Sequence, residues 1–216
     1  MKRPWLGPAI LVGMLVFAVV TFPSLPARIP THWGMSGEPD GWMARWPGAF
    51  ILPIIAFAAW GLLRVIPRID PRGEHYEEFR ETYWIFLNSL VVFVALLQVF
   101  SYGTALEWPI GMERGIFVAI GALFLMVGNV LPRLRSTWWI GIRTPWTLDS
   151  DEVWRSTHRL GGRTFMAGGL IILLGAAAAP ADLRWKIMLG ALILAVGVPA
   201  LHSYFSWRRS RESSPA

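Results

Sequence analysis

The sequence predicts an all-α integral membrane protein with six transmembrane helices. Hydrophobic residues make up 54% of the 216 residues and charged residues only 16%, and the charges gather in clusters between long uncharged runs. This is the composition of a polytopic membrane protein. A helix needs about 20 apolar residues to cross a hydrocarbon core of roughly 30 Å, and six segments approach that length. They are residues 5–25, 47–66, 84–102, 115–131, 164–179 and 187–207.

The basic residues predict the orientation of these spans. Of the 20 lysines and arginines, 15 fall in the N-terminus, the second and fourth loops and the C-terminal tail, and 5 fall in the other loops. Loops rich in lysine and arginine stay on the cytoplasmic side. We therefore predict that both termini (N-in/C-in) and the fourth loop are cytoplasmic.

The first segment is predicted to be a retained span and not a signal peptide. Its apolar run is longer than a signal peptide requires, and residues 24–27 form a poor cleavage site. Cysteine is absent, which excludes disulfides and cysteine-ligated metal sites. The pI near 10.5 suits contact with anionic headgroups of the lipid bilayer. Without a soluble domain or an RNA-binding motif, no nucleic-acid partner is expected.

The first loop, residues 26–46, is predicted to be extracytoplasmic, compact and ordered, because it is rich in glycine and proline turns. Its tryptophans, Trp33, Trp42 and Trp46, are expected at headgroup depth.

Three side chains of the same loop are candidate metal ligands, namely His32, Glu38 and Asp40. One imidazole and two carboxylates can coordinate a divalent cation if the turns bring them together. In the alternative interpretation, both carboxylates bond to turn amides and His32 is a solvated residue at the membrane surface. We expect no cofactor, and this divalent metal is the exception to be tested.

The second loop, residues 64–83, is predicted to become a cytoplasmic amphipathic helix. Tyr76, Phe79 and Tyr83 recur at helical spacing and form one aromatic stripe. We interpret it as an interfacial helix that anchors the third span. A face that docks a partner is the alternative.

The fourth loop, residues 132–163, has the densest set of functional residue types. Residues 141–148 read Gly-Ile-Arg-Thr-Pro-Trp-Thr-Leu and are expected to be non-helical, since a residue before proline favours extended geometry. A short cytoplasmic interfacial helix is predicted from about residue 150 to 160. Asp149 caps its start, and Gly161 and Gly162 end it.

This loop is the candidate ligand or partner site. The candidate residues are Asn129, Arg143, Thr144, Pro145, Trp146, Trp154, His158 and Arg159. Trp154 and His158 share one helix face, and the arginines form a basic rim suited to phosphate or carboxylate groups. In the alternative interpretation, these arginines and tryptophans only anchor the loop at the membrane. No residue is assigned a catalytic role.

Several of these residues resemble the signature of the SdpI family of bacterial membrane proteins. The matching positions are 128–129, 141–148, 153–154 and 157–159, with 70–71, 76 and 79 in the second loop. The first loop, at 29–33 and 37–42, looks like the small uncharacterised domain often fused at the N-terminus of that family. The predicted division is therefore an N-terminal two-span region, 1–66, and an SdpI-like four-span region, 67–216.

The resemblance implies a non-enzymatic immunity or receptor-like protein in the bacterial cytoplasmic (inner) membrane. Such a protein gives resistance to a secreted antimicrobial peptide toxin that meets its outer face. The resemblance also implies a signalling role, in which a transcriptional repressor is held at the membrane when toxin is present.

Two other functions stay open at this stage. One is an exporter or transporter of a toxic peptide or small molecule, although ionisable residues at membrane depth are scarce. The other is a metal-dependent membrane enzyme that uses the first loop. Small residues in the fifth span, Gly168, Gly169, Gly175 and the alanines after it, fit close packing within the chain or a homodimer.

Overall fold

The computed structural model describes residues 5–34 and 38–212. Within them, six helices are long and apolar enough to cross a membrane. The prediction of an all-α membrane protein with six spans is confirmed. An even number of spans puts both ends of the chain on one side of the membrane. We refer to that side as cytoplasmic, following the charge distribution.

The helices in chain order are α1 (Leu6–Thr21), α2 (Arg45–Ile69), α3 (His75–Glu78), α4 (Arg80–Ala105), α5 (Met112–Val130), α6 (Pro145–Asp149), α7 (Asp151–Ala178), α8 (Ala181–Leu192) and α9 (Val198–Glu212). Strands β1 (Arg28–Trp33) and β2 (Pro39–Ala44) lie between α1 and α2. A π-helical turn, Ile193–Gly197, joins α8 and α9 into the sixth span. Helices α3 and α6 are short and lie in the cytoplasmic loops.

Helix α4 packs against α1, α2 and α5, and α7 packs against α5, α8 and α9. Glycines make the α5–α7 contact close. A Cβ atom on Gly169 would lie 2.8 Å from the Gly121 carbonyl oxygen, and one on Gly162 would lie 2.9 Å from the Gly128 carbonyl oxygen. The two backbones therefore touch, which strengthens packing between helices in lipid.

Two other glycines of α7 face the sixth span. A Cβ on Gly168 would lie 3.1 Å from the Ala191 carbonyl oxygen, and one on Gly175 would lie 3.0 Å from Ile187 Cγ2. The glycines of the fifth span thus serve packing within the chain. A homodimer stays a prediction.

Within the first loop, strands β1 and β2 form an antiparallel β-hairpin inserted in the helical fold. The register is irregular between Pro30 and His32. Ile29 is fully buried, and the Ser101 hydroxyl of α4 donates to the Pro30 carbonyl at 3.2 Å. The hairpin is thus fixed to the outer ends of α2 and α4. Trp42 and Trp46 are exposed, whereas Trp33 is partly buried.

The aromatic stripe of the second loop is buried inside the protein, so the predicted interfacial helix is wrong. Tyr76, Phe79 and Tyr83 are each less than a tenth exposed, and their ring centroids lie 5.1 to 6.3 Å apart. They pack with Leu87 and Val91 of α4. The helical spacing marked an apolar face correctly, but protein covers that face instead of lipid.

The predicted helix 150–160 is also corrected, because α7 continues through Gly161 and Gly162 to Ala178. A Cβ on Gly161 would lie 2.5 Å from Ile142 Cδ1, and one on Gly162 would lie 2.6 Å from Pro132 Cγ. These glycines provide space for neighbouring side chains and do not end the helix.

The start of α7 and the form of residues 141–148 differ from prediction as well. Ser150, not Asp149, caps α7, and its hydroxyl accepts from the Val153 amide at 3.4 Å. Thr144 is extended, as expected before proline, but α6 begins at the next residue. Proline disfavours helix for the residue before it and suits the first position of a new helix, so both observations have one cause.

Candidate functional site

His158 lies fully buried in the fourth loop, residues 132–163, which we call the motif loop. It is held by neutral hydrogen bonds. Its ring stacks on Trp154 with centroids 4.0 Å apart. Nε2 accepts from the Ile142 amide at 2.9 Å, so Nδ1 carries the proton and donates to the Trp154 carbonyl at 2.8 Å. Both ring nitrogens are used, which leaves neither for a metal or for proton transfer.

Gly141 makes this arrangement possible. Its φ of +118° lies in the left-handed region, which favours glycine. A Cβ atom there would lie 2.5 Å from His158 Nε2 and 2.8 Å from Trp154 Cη2. The first glycine of the motif therefore provides both the backbone angle and the space for the stacked rings.

Thr144, Pro145 and Thr147 form the start of α6. The Thr144 hydroxyl accepts from the Thr147 amide at 3.2 Å, and the Thr144 amide donates to the Thr147 hydroxyl at 2.9 Å. This is a capping box with Pro145 at the first helical position. The buried Thr147 hydroxyl also donates to the Ile142 carbonyl at 2.8 Å. The motif thus satisfies its own polar groups.

Helix α6 binds the C-terminal helix α9 through contacts that we call the α6–α9 clasp. The Trp146 and Tyr204 rings lie 5.0 Å apart. Asp149 accepts from Trp207 Nε1 at 2.6 Å and from Arg211 at 3.2 Å, and these hydrogen bonds lower the pKa of Asp149. The Thr144 and Ser203 hydroxyls lie 3.0 Å apart. The clasp joins the fourth loop to the last span.

A buried carboxylate joins the second and fourth loops. Asp70 accepts hydrogen bonds from the Tyr76 hydroxyl at 2.8 Å, from the Arg72 amide at 2.8 Å and from the Trp138 amide at 3.1 Å. Burial and the hydrogen bond to Asp70 raise the pKa of Tyr76. Asp70 was recognised in the sequence only as part of the family pattern, and its bond to Trp138 crosses 68 positions of the chain.

Arg72 and His75 strengthen the same junction. The Arg72 guanidinium donates to the Ser136 hydroxyl and, at 2.9 Å, to the Leu148 carbonyl. His75 Nδ1 lies 2.7 Å from the Ser136 carbonyl oxygen. Sequence reasoning did not select these residues, because nothing near them in the chain indicates a contact with the fourth loop.

The candidate residues therefore separate into two groups. Thr144, Trp154 and His158 belong to the internal hydrogen-bonded network, and the Trp154 indole donates to the Leu134 carbonyl at 2.9 Å. Arg143 and Arg159 are exposed. Asn129 and Pro145 are the other exposed candidates, and Arg155 and Arg163 of the rim are exposed as well. Trp146 is partly buried and packs on Tyr204. Only the exposed group is available to a ligand or partner.

The three predicted metal ligands do not converge. His32 Nδ1 bonds directly to a carboxylate oxygen of Asp40, and both side chains are exposed. Glu38 is exposed near the turn of the hairpin. Among residues 5–34 and 38–212, no three histidine, aspartate or glutamate side chains are grouped as a metal site requires.

Polar side chains within the spans join helices. Gln98 Nε2 donates to the Met14 carbonyl at 3.0 Å and to the Tyr102 hydroxyl at 3.3 Å, and that hydroxyl donates to the Ala49 carbonyl. These bonds connect α1, α2 and α4. Gln98 thus has the helix-joining use that hydrogen-bonding side chains commonly have in membranes.

A cavity of about 560 Å³ lies at the outer end of the fold, beneath the β-hairpin. Its walls come from α2, α4, α5 and α8, and the hairpin forms its roof. Nearly all of the lining side chains are apolar. The lining was not predicted, because it combines residues that are distant in sequence.

Comparisons with known proteins match two segments of the chain. Residues 133–203 match the SdpI/YfhL protein family, and residues 9–57 match a domain of unknown function, DUF1648. Residues 133–203, which include the Gly-Ile-Arg-Thr-Pro-Trp-Thr-Leu run, are therefore similar to the SdpI/YfhL family. The resemblance stated from the motif residues is thus confirmed.

One curated relative aligns with the chain almost from end to end. Immunity protein SdpI of Bacillus subtilis (strain 168) is 20% identical over 209 residues, which cover 97% of this chain and 98% of that protein. No solved structure matches the chain. The protein is a multi-pass membrane protein.

The SdpI-family segment contains the fourth loop, the fifth span and most of the sixth span. It begins at Arg133, near the start of that loop, and ends at Ser203, which contacts the Thr144 hydroxyl. The DUF1648 segment contains the hairpin and the α2 wall of the outer cavity.

Proposed function

We propose that the protein is an immunity protein of the bacterial cytoplasmic membrane that gives resistance to a secreted antimicrobial peptide toxin. The observation that carries the proposal is the correspondence with Immunity protein SdpI over nearly the whole of both chains. At 20% identity, all six spans of this chain lie within the aligned length. The proposal includes no enzymatic step.

The toxin would meet the outer surface formed by the hairpin. Exposed Trp42 and Trp46 offer large apolar rings with an N–H donor at headgroup depth, where an amphipathic peptide also lies. The motif loop lies on the other side of the membrane. Its internal network favours a scaffold that keeps the cytoplasmic loops and the last span in place.

A signalling role is the finer part of the proposal. The exposed arginines, including Arg143 and Arg159, form a basic cytoplasmic rim on a rigid support. Such a rim suits an acidic surface of a repressor protein. Charge reversal, Arg143→Glu with Arg159→Glu, should then abolish a toxin-induced transcript change and leave protection intact. An unchanged transcript response would argue against this rim.

Complementation tests the immunity proposal. The gene is expressed in B. subtilis strain 168 lacking its own Immunity protein SdpI. These cells are challenged with culture fluid of the parent B. subtilis strain or of the bacterium from which this gene was taken. Survival above that of cells with empty vector supports immunity, and no protection from either fluid overturns it.

Two tryptophans provide a matched pair for locating the toxin-facing side. Trp42 on the hairpin and Trp138 on the cytoplasmic side are each 47% exposed. Trp42→Ala should lower survival, whereas Trp138→Ala should not, because Trp138 bonds to Asp70 and Arg143 only through its backbone. Membrane abundance of both variants is measured by immunoblot. The reverse order of survival would place the toxin contact elsewhere.

A further inference from the structure

The outer cavity has the form of a cleft between two spans. Helices α2 and α5 both pack on α4, and the cavity lies between them over Leu97 of α4. Its volume of about 560 Å³ falls within the range of roughly 300 to 1,000 Å³ typical of small-molecule sites. Residues from α2, α5 and α8 complete the walls. They are Ile51, Leu52, Ile55, Met112, Ile116, Phe117, Ile120 and Trp185.

The cleft spans the depth at which a lipid changes from polar to apolar. Helix α2 begins at Arg45 beside the hairpin. Ile51 and Ile55 lie further along it, roughly 9 to 15 Å deeper at 1.5 Å per residue. The roof is therefore at headgroup depth, while the walls are in the hydrocarbon region.

One polar group at the roof lacks a partner. Trp33 lines the cavity, and its indole Nε1 is buried without a hydrogen-bond partner in the described part of the chain. A buried polar group without a hydrogen bond costs free energy, so a ligand whose acceptor meets Nε1 when the indole turns toward the cleft gains affinity. The indole N–H can only donate.

We propose that this cleft binds one acyl chain of a membrane glycerophospholipid. The chain lies along the apolar walls, and its ester carbonyl accepts a hydrogen bond from Trp33 Nε1. The headgroup remains in the interface beside the hairpin. This site is independent of the immunity function, since it requires only lipid.

A lipid chain fits this cleft better than a peptide does. Within the hydrocarbon region every backbone amide and carbonyl must have a partner. The side chains of the walls, such as Ile51, Ile55 and Ile116, provide no hydrogen-bond partner for a peptide backbone. The polar lining is confined to the roof. A saturated chain carries no such groups and fills the same space without that cost.

Neighbouring isoleucines of α2 give a matched pair for the test. Ile54 is 56% exposed and Ile55 is 46% exposed, but only Ile55 lines the cleft. Ile55→Trp places a larger side chain in the cleft and so fills part of it. Ile54→Trp adds the same side-chain volume on the surface that faces bulk lipid. Trp33→Phe keeps a ring at the roof and removes the donor.

The assay uses the full chain in liposomes containing phosphatidylglycerol with a diazirine in one acyl chain. After illumination, adducts at Met112 and Trp185 are quantified by peptide mass spectrometry. We expect a loss of about tenfold in Ile55→Trp and no change in Ile54→Trp. Loss of one hydrogen bond in Trp33→Phe should lower the adducts about fivefold.

Several outcomes would overturn the proposal. Equal adduct yields in Ile55→Trp and Ile54→Trp would show that the lipid lies outside the cleft. Unchanged yield in Trp33→Phe would exclude the carbonyl contact. A photo-crosslinking amino acid at Ile116 adds a second measurement. Capture of a peptide or a second protein chain there, in place of lipid, would assign the cleft to a polypeptide.

Discussion

Replacing Gly141 by alanine tests the cytoplasmic scaffold at its most crowded point. The backbone there has a φ of +118°, and the added methyl group would lie 2.5 Å from His158 Nε2 and 2.8 Å from Trp154 Cη2. The two rings are stacked at 4.0 Å, and each also holds a hydrogen bond to the backbone. Neither ring can move without disturbing the other.

The expected cost has two parts. A non-glycine residue held in an unfavourable backbone region costs about 1 to 3 kcal/mol. An extra methyl group in a packed core costs about 1 to 3 kcal/mol more. The free energy of unfolding should therefore fall by about 2 to 6 kcal/mol. In a protein of this size each 1 kcal/mol lowers Tm by about 2 to 4 °C, so a drop of about 10 °C is expected.

Thermal unfolding of the detergent-solubilised protein, followed by tryptophan fluorescence, measures the change. Gly61→Ala in α2 is the control, because nothing lies within 4 Å of its added Cβ. Alanine is favoured over glycine within a helix, so the Tm of this control should stay level or rise. An unchanged Tm in Gly141→Ala would refute the role assigned to this glycine.

Three further predictions concern the same scaffold. His158→Phe keeps the ring stack but leaves the Ile142 amide unpaired, so unfolding should cost about 1 to 3 kcal/mol less, measured as a lower Tm. Asp70→Ala should expose the second loop to limited proteolysis, while Asp70→Asn, which keeps an acceptor for the Trp138 amide, should be cut more slowly; equal cutting would contradict the hydrogen-bond account. The pKa of Tyr76 is raised above its ordinary value of 10.0, so the folded state retains this proton longer than the unfolded state. The contribution of Tyr76 to stability should be constant below pH 10 and fall above it, and Tyr76→Phe should reduce the loss of stability above pH 10.

The spans were predictable because lipid imposes one simple requirement on every segment that crosses it. Long apolar runs identify such helices without knowledge of their neighbours. The glycines of the fourth loop show the limit of this reasoning. Gly161 and Gly162 have the local pattern of a helix end, yet they lie within α7 because Ile142 and Pro132 need the space. That reason is tertiary and cannot be read from neighbouring residues.

Three residues of the hydrogen-bonded network were selected from the sequence, but their structural role was not predicted. The sequence selected Thr144, Trp154 and His158, and the structure groups them around Gly141. Their partners include backbone groups of other segments, such as the Leu134 carbonyl. Because every residue type has a backbone carbonyl, the sequence does not show which one is the partner. Residue types that suit a ligand site equally suit a network that satisfies its own polar groups. Exposure, which only the structure gives, distinguishes the two.

The α6–α9 clasp imposes an order on biosynthesis. Trp146 and Asp149 leave the ribosome before the last two spans, whereas Tyr204 and Trp207 are at the end of the sixth span. The contacts of the clasp therefore cannot form until that span has been inserted and its C-terminal end has returned to the same side. A closed clasp marks a completely inserted chain, and a chain that stalls earlier presents an unpaired aromatic ring to cytoplasmic proteases.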